Sequence, residues 1–182
     1  MKIPEHILSK VVGFARSLQN KVTSLFKSEV KTVEGTLSAS KVYPDGTVVP
    51  VFKEENLILL AAKQTLLASL TNTFATANTI SQLQVGIGGA IDPAGLFPKT
   101  VVQTLTSLYS PILTVPVSFV ESPDIPSVTF IADVDQSTGN GNAITEAGLR
   151  YGNGILFNIK TFPAIPKTAD FSIHFEWTIK IS

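Results

Sequence analysis

Cysteine is absent from the 182 residues. No disulfide holds this chain together, no thiolate can act as a nucleophile, and no cysteine-ligated metal site can form. Charge is also scarce. Lys, Arg, Asp and Glu make up 15% of the chain, against about 25% in an ordinary domain. A shortage of that kind implies that part of the surface meets protein rather than water. Histidine occurs only at His6 and His174. A zinc-type site needs several His or carboxylate ligands converging, and two separated histidines do not build one. No apolar run reaches the roughly 18 residues of a membrane-spanning helix. The opening residues lack the continuous apolar core and small-residue cleavage site of a secretory leader.

The charge that is present is unevenly spread. Residues 1–31 hold six Lys/Arg and two Glu, a balance of +4, and the remaining residues hold eight Lys/Arg and twelve Asp/Glu, a balance of −4. A neutral chain without a basic stripe is not a nucleic-acid binder by its charge. The basic start is a feature that suits an acidic partner.

That start reads as an amphipathic helical arm over residues 1–30. Pro4 suits a first helical position. Leu8, Val11, Ala15, Leu18, Val22 and Leu25 then follow a 3-4-3-4-3 spacing, which places them on one stripe. Gly13 and the β-branched Val11, Val12, Val22 and Thr23 weaken the helix. A helix of this length is marginal alone in water and needs a surface to lie on. Its own β domain, a bundle of copies around a symmetry axis, a neighbouring protein and a membrane surface are the candidates. The six stripe residues are the expected interface.

Residues 31–182 read as a mainly β domain. Tyr43-Pro44-Asp45-Gly46 is a turn. Val48 to Phe52 is a short strand, placed at an edge by Pro50. Glu54-Glu55-Asn56 puts acidic residues where a helix dipole favours them, so a helix is expected near 54–70. Extended chain resumes at Ile80 and runs into the turn Gly86-Ile87-Gly88-Gly89. Six prolines between Pro93 and Pro126 exclude a long helix there, and Leu113 to Val120 is a strand. Val128, Phe130, Ala132 and Val134 alternate with Thr129, Ile131 and Asp133, followed by the tight turn Gly139-Asn140-Gly141-Asn142. Ile155 to Phe162 is a further strand. The end is a two-residue repeat: Phe171, Ile173, Phe175, Trp177, Ile179 and Ile181 on one face, Ser172, His174, Glu176, Thr178, Lys180 and Ser182 on the other. That alternation specifies a half-buried antiparallel strand. The fold expected is an antiparallel β-sandwich or jelly-roll-like domain with one internal helix and the N-terminal helical arm.

Three stretches carry a family resemblance. They are Phe52-Lys53-Glu54-Glu55-Asn56-Leu57-Ile58, then Ile80 to Gly89, then Ala143-Ile144-Thr145-Glu146-Ala147-Gly148-Leu149 with Leu156 to Thr168, closed by Phe175-Glu176-Trp177-Thr178-Ile179. In this order, over roughly residues 48–182, they resemble the small β domains of bacteriophage tail, collar and fibre-associated structural proteins. The resemblance implies a non-enzymatic virion component, without cofactors, that assembles with itself (a trimer favoured) and with other virion proteins. It does not extend to the arm. Glu146-Ala147-Gly148-Leu149 reads as a bend between strands, and Thr161-Phe162-Pro163 as a strand end.

The Gly86–Gly89 turn lacks the third glycine and the following helix of a dinucleotide loop. No Gly-x-Ser-x-Gly elbow marks an activated serine. Asp133 to Gly141 superficially resembles a calcium loop with Glu146 at its twelfth position, but Asn140 stands where that loop needs glycine. His174 reads as a solvated rim residue and Trp177 as core. Two other roles remain alongside the structural one: a capsid decoration (cement) protein, and a carbohydrate-binding adhesin using the loops around 88–98 and 135–142.

Overall fold

The structure, a computed structural model, describes residues 33–69, 79–122 and 126–181. The expected arm and its stripe of Leu8, Val11, Ala15, Leu18, Val22 and Leu25 lie outside the described residues. All the described elements belong to the compact unit Val33–Ser182.

The unit contains nine strands: β1 (Val33–Val42), β2 (Val48–Ile58), β3 (Ile80–Gly86), β4 (Pro111–Pro116), β5 (Ser118–Ser122), β6 (Ser127–Val134), β7 (Ala143–Tyr151), β8 (Asn158–Pro166) and β9 (Ser172–Ile181). One helix, α1 (Leu60–Ser69), follows β2. The strands form one antiparallel sheet in the order β4-β3-β7-β8-β2-β1-β9-β6-β5. The mainly β, antiparallel character matches the expectation. The two packed sheets of a sandwich do not. β4 and β5 are the two ends of the sheet, yet only Val117 separates them in the chain. The run 111–122 pairs with β3 through its first half and with β6 through its second, and Val117 donates its N–H to Ser81 O at 3.1 Å. The sheet therefore curls into a nearly closed barrel.

The core fills the barrel. The β9 alternation works as its pattern requires: Phe171, Ile173, Phe175, Trp177 and Ile179 are buried against Leu37, Phe130, Ile144, Leu149 and Phe162. The narrowest join is between β2 and β8, which pair only at Leu57↔Ile159 and Ile58↔Asn158. Beyond it, Phe52 leans inward and its ring stands 4.8 Å from that of Phe162. The free edge of β2 carries Pro50, a register shift opposite Ala39/Ser40, and Lys53, Glu54 and Glu55. These are devices that discourage pairing with another strand.

Three local expectations are corrected. Glu54-Glu55-Asn56 does not open a helix: these residues pair with Leu37, Thr36 and Gly35 in β2, Glu54 meets Lys160 at 2.6 Å, and α1 starts only at Leu60. Cross-strand pairing overrides the local preference. Glu146-Ala147-Gly148-Leu149 is not a bend but the buried middle of β7. Gly148 serves close approach, since a Cβ there would stand 2.6 Å from Asn158 O. Thr161-Phe162-Pro163 does not end a strand, because β8 continues to Pro166.

Two predictions follow from the barrel interior. Trp177→Ala empties the middle of the core and should cost about 3–5 kcal/mol in urea unfolding, whereas Lys180→Ala on the opposite face should stay within about 0.5 kcal/mol. Tyr151 is buried with no partner for its hydroxyl, and burial pushes its pKa up to about 12. Between its ordinary pKa near 10 and that value, the unfolded chain loses the proton and the folded chain keeps it. Stability present below pH 10 is then lost as pH rises towards 12, by about 2–3 kcal/mol. Melting curves of Tyr151→Phe across this range should lack that loss. An identical decline in the variant would remove Tyr151 as its source.

Candidate functional site

Glu146 is a carboxylate with 0% exposure in the middle of β7, and it has no ion-pair partner among the described residues. A buried charge is costly unless its oxygens are hydrogen-bonded. Here backbone amides do this. Oε1 accepts the N–H of Ser110 at 2.7 Å and of Gly88 at 3.1 Å, and Oε2 accepts the N–H of Tyr109 at 2.9 Å. Its neighbour Thr145 accepts the N–H of Gly89 through Oγ1 at 2.9 Å. One carboxylate thus ties the chain leaving β3 to the chain entering β4.

This explains the glycine-rich turn. A Cβ at Gly88 would stand 2.7 Å from Ser110 N and from Tyr109 Cβ, and Gly86 and Gly89 are equally crowded by Ser110, Glu146 and Thr145. The glycines let two loops reach the carboxylate; they form no phosphate cradle. It also answers the calcium-loop reading. Glu146 commits its oxygens to amides, while Asp135 accepts the N–H and the Oγ–H of Ser137, both at 2.7 Å, from an exposed turn. No cluster of three or more metal-ligating side chains occurs among the described residues.

The 26 residues from Ile87 to Ile112 contain only two charges, Asp92 and Lys99, and both face inward on their own loop. Asp92 accepts the N–H of Phe97 at 2.8 Å and of Leu96 at 3.2 Å. These bonds, that to Phe97 first, hold its carboxyl below the ordinary carboxylate range. Lys99 Nζ donates to Gly88 O at 2.7 Å and lies 4.7 Å from the centre of the Tyr109 ring. Ile91 N–H donates to Phe97 O, and Ala164 N–H ties Gly95 O to β8, both at 2.8 Å. The loop is therefore held at both ends and across its middle.

Its outward face carries large apolar side chains beside the exposed, uncharged Gln103, Thr104, Thr106 and Ser107. Ile91 is 71% exposed, Leu96 63% and Phe97 64%. Ile87, Val102, Tyr109 and Ile112 are exposed on the same stretch. Half of the fourteen large apolar side chains left exposed among the described residues come from it. The backbone that carries these side chains is held by the bonds described above. The sequence placed the expected interface on the arm and named only the loop around 88–98 here, as a carbohydrate contact; the role of Glu146 was not legible, because nothing local marks a glutamate in a strand as an amide acceptor.

The remaining candidates sit elsewhere. His174 lies on the outer face, with Nδ1 2.7 Å from Asp133 Oδ1 and Nε2 3.6 Å from Glu176 Oε1. Ser40 is its neighbour in register on β1, so a serine, a histidine and an aspartate stand abreast on three strands. Among the described residues Ser40 does not hydrogen-bond the imidazole, and its strand is paired on both sides, so the neighbouring backbone amides are engaged in the sheet and do not form an oxyanion hole. Trp177 is core, as expected. Among the described residues, no helix is long and apolar enough to cross a membrane. In comparisons with known proteins, no family model, no curated protein and no solved structure matches this chain.

Removing the carboxylate should release the loops. Glu146→Gln keeps the shape but replaces one acceptor oxygen with a donor, leaving at least one amide unpaired at a cost of about 1–3 kcal/mol. Hydrogen exchange should then accelerate at Gly88, Tyr109 and Ser110 and stay slow at β9. Unchanged exchange at those three amides would show that the carboxylate does not hold them.

Proposed function

We propose that this chain is a structural subunit of a bacteriophage virion, at the tail, neck or collar, or fibre, that acts by assembling with copies of itself and with other virion proteins. The observation that carries the assembly role is the loop from Ile87 to Ile112: exposed, apolar, fixed in place and without a free charge. A soluble protein that needed no partner would not keep Ile91, Leu96 and Phe97 in water on a rigid loop, since contiguous exposed apolar patches mark interaction sites. The assignment to a phage particle rests on the resemblance of residues 48–182, and the arm over 1–30 is its anchor in this reading.

Two measurements test it. Light scattering of the full chain should give a discrete oligomer, a trimer favoured, and the chain without residues 1–30 should fold but no longer assemble. Leu96→Asp with Phe97→Asp changes exposed side chains only, so it should leave the melting temperature within a few degrees while weakening assembly at least tenfold. A full chain that is monomeric, and that does not sediment with phage particles purified from its host, would refute the proposal.

A further inference from the structure

Lys167 has no carboxylate within ion-pair distance among the described residues, although it is only 1% exposed. Lysine is almost never buried unless paired. Its Nζ instead contacts two neutral oxygens, Asn140 Oδ1 at 2.9 Å and Thr168 O at 2.7 Å, and the ring centre of Phe171 lies 5.4 Å away. Burial lowers its pKa, with the fields of Asp135 and Asp170 acting in the opposite sense. A desolvated amine facing an amide carbonyl is the ground state of an acyl transfer.

The backbone holds both groups in place. Gly141 N–H donates to Lys167 O at 3.0 Å, and Lys167 N–H donates to Asn142 O at 2.9 Å. This two-bond clamp fixes the turn that carries Asn140 against the chain leaving β8. The carboxamide is oriented as well: Asn140 Nδ2 donates to Gln136 O at 2.8 Å, so its oxygen faces the amine and its nitrogen faces away. Asn140 lies at the surface, which leaves the nitrogen side open to water. Reactive groups held at contact distance in one orientation gain large effective concentrations.

We propose that Lys167 and Asn140 form an intramolecular isopeptide bond. The Nζ lone pair attacks Asn140 Cγ and forms the Nζ–Cγ bond. The tetrahedral centre then collapses, the Cγ–Nδ2 bond breaks, and ammonia leaves through the exposed side. One proton passes from Nζ to the departing nitrogen, with water as carrier. No oxidant, reductant or further reactant is needed. The product is a covalent tie between the β6–β7 connection and the end of β8, two segments that only hydrogen bonds otherwise join there. A cross-link that closes a loop of this length restricts the unfolded chain.

The test is the intact mass of the purified full-length chain and a peptide digest. The linked protein is lighter than its sequence by one ammonia and yields a branched peptide joining the segments that carry Asn140 and Lys167. Asn140→Ala and Lys167→Arg should each show their full sequence mass. Asn140 precedes Gly141, so a cyclic imide at that pair would also lose ammonia. A mass deficit that persists in Lys167→Arg therefore marks the imide and overturns the proposal. So does a wild-type protein at full sequence mass with an unbranched digest. The digest of the wild-type chain decides the matter even if Lys167→Arg fails to fold.

Discussion

The run from Pro111 to Ser122 engages both ends of the sheet at once, and the architecture depends on that double pairing. Along this run, Leu113, Val115 and Val117 keep a two-residue period and pack against the core, and Phe119 beyond them sets its exposed ring 6.3 Å from that of Phe130. Without it, β3 and β6 would be open edges and the large side chains of β9 would face water. With it, one sheet encloses Trp177, Phe162 and Phe175 on all sides, which two stacked sheets would have done with separate layers. The remaining opening, between β2 and β8, is filled by Phe52 and guarded by proline and charge.

The loop platform depends on a second constraint of a different kind. Closing the sheet brings the end of β3 and the start of β4 beside the middle of β7, where their backbone amides point at one side chain. Glu146 uses that convergence. A charge that would be destabilising in an apolar core becomes the fixed point of the loops, because the amide dipoles supply what solvent would have given. Glycines at 86, 88 and 89 are the steric requirement of the same arrangement. The apolar side chains at 91, 96 and 97 stand outward, while the two charges of the loop, Asp92 and Lys99, are bonded within it.

Much of the strand pattern was legible in the residues. The last strand, the turns at Pro44–Gly46 and Gly139–Asn142, and the segments from Ile80, Leu113 and Val128 all appear where alternation and turn chemistry put them. The failures share one cause. Glu54–Asn56 reads as a helix start and Glu146–Leu149 as a bend, and in both the local signals are overridden by the strands that pair with them. A sandwich and a barrel use the same alternating strands, and only the dual partnership of residues 111–122, a non-local fact, separates the two. The amide acceptors of Glu146 and the neutral surroundings of Lys167 are likewise invisible to spacing.

The uninterrupted alternation through Val117 has an evolutionary corollary. Because side chains change face with every residue, adding or removing one position between Leu113 and Val117 would turn Val117 away from the core, or break one of the two ladders. The loops at 87–110 and 135–142 are under no such parity rule. Relatives that diverge in length should therefore do so in those loops, and keep the twelve-residue closing run at constant length, so that the loops can diversify while the barrel cannot.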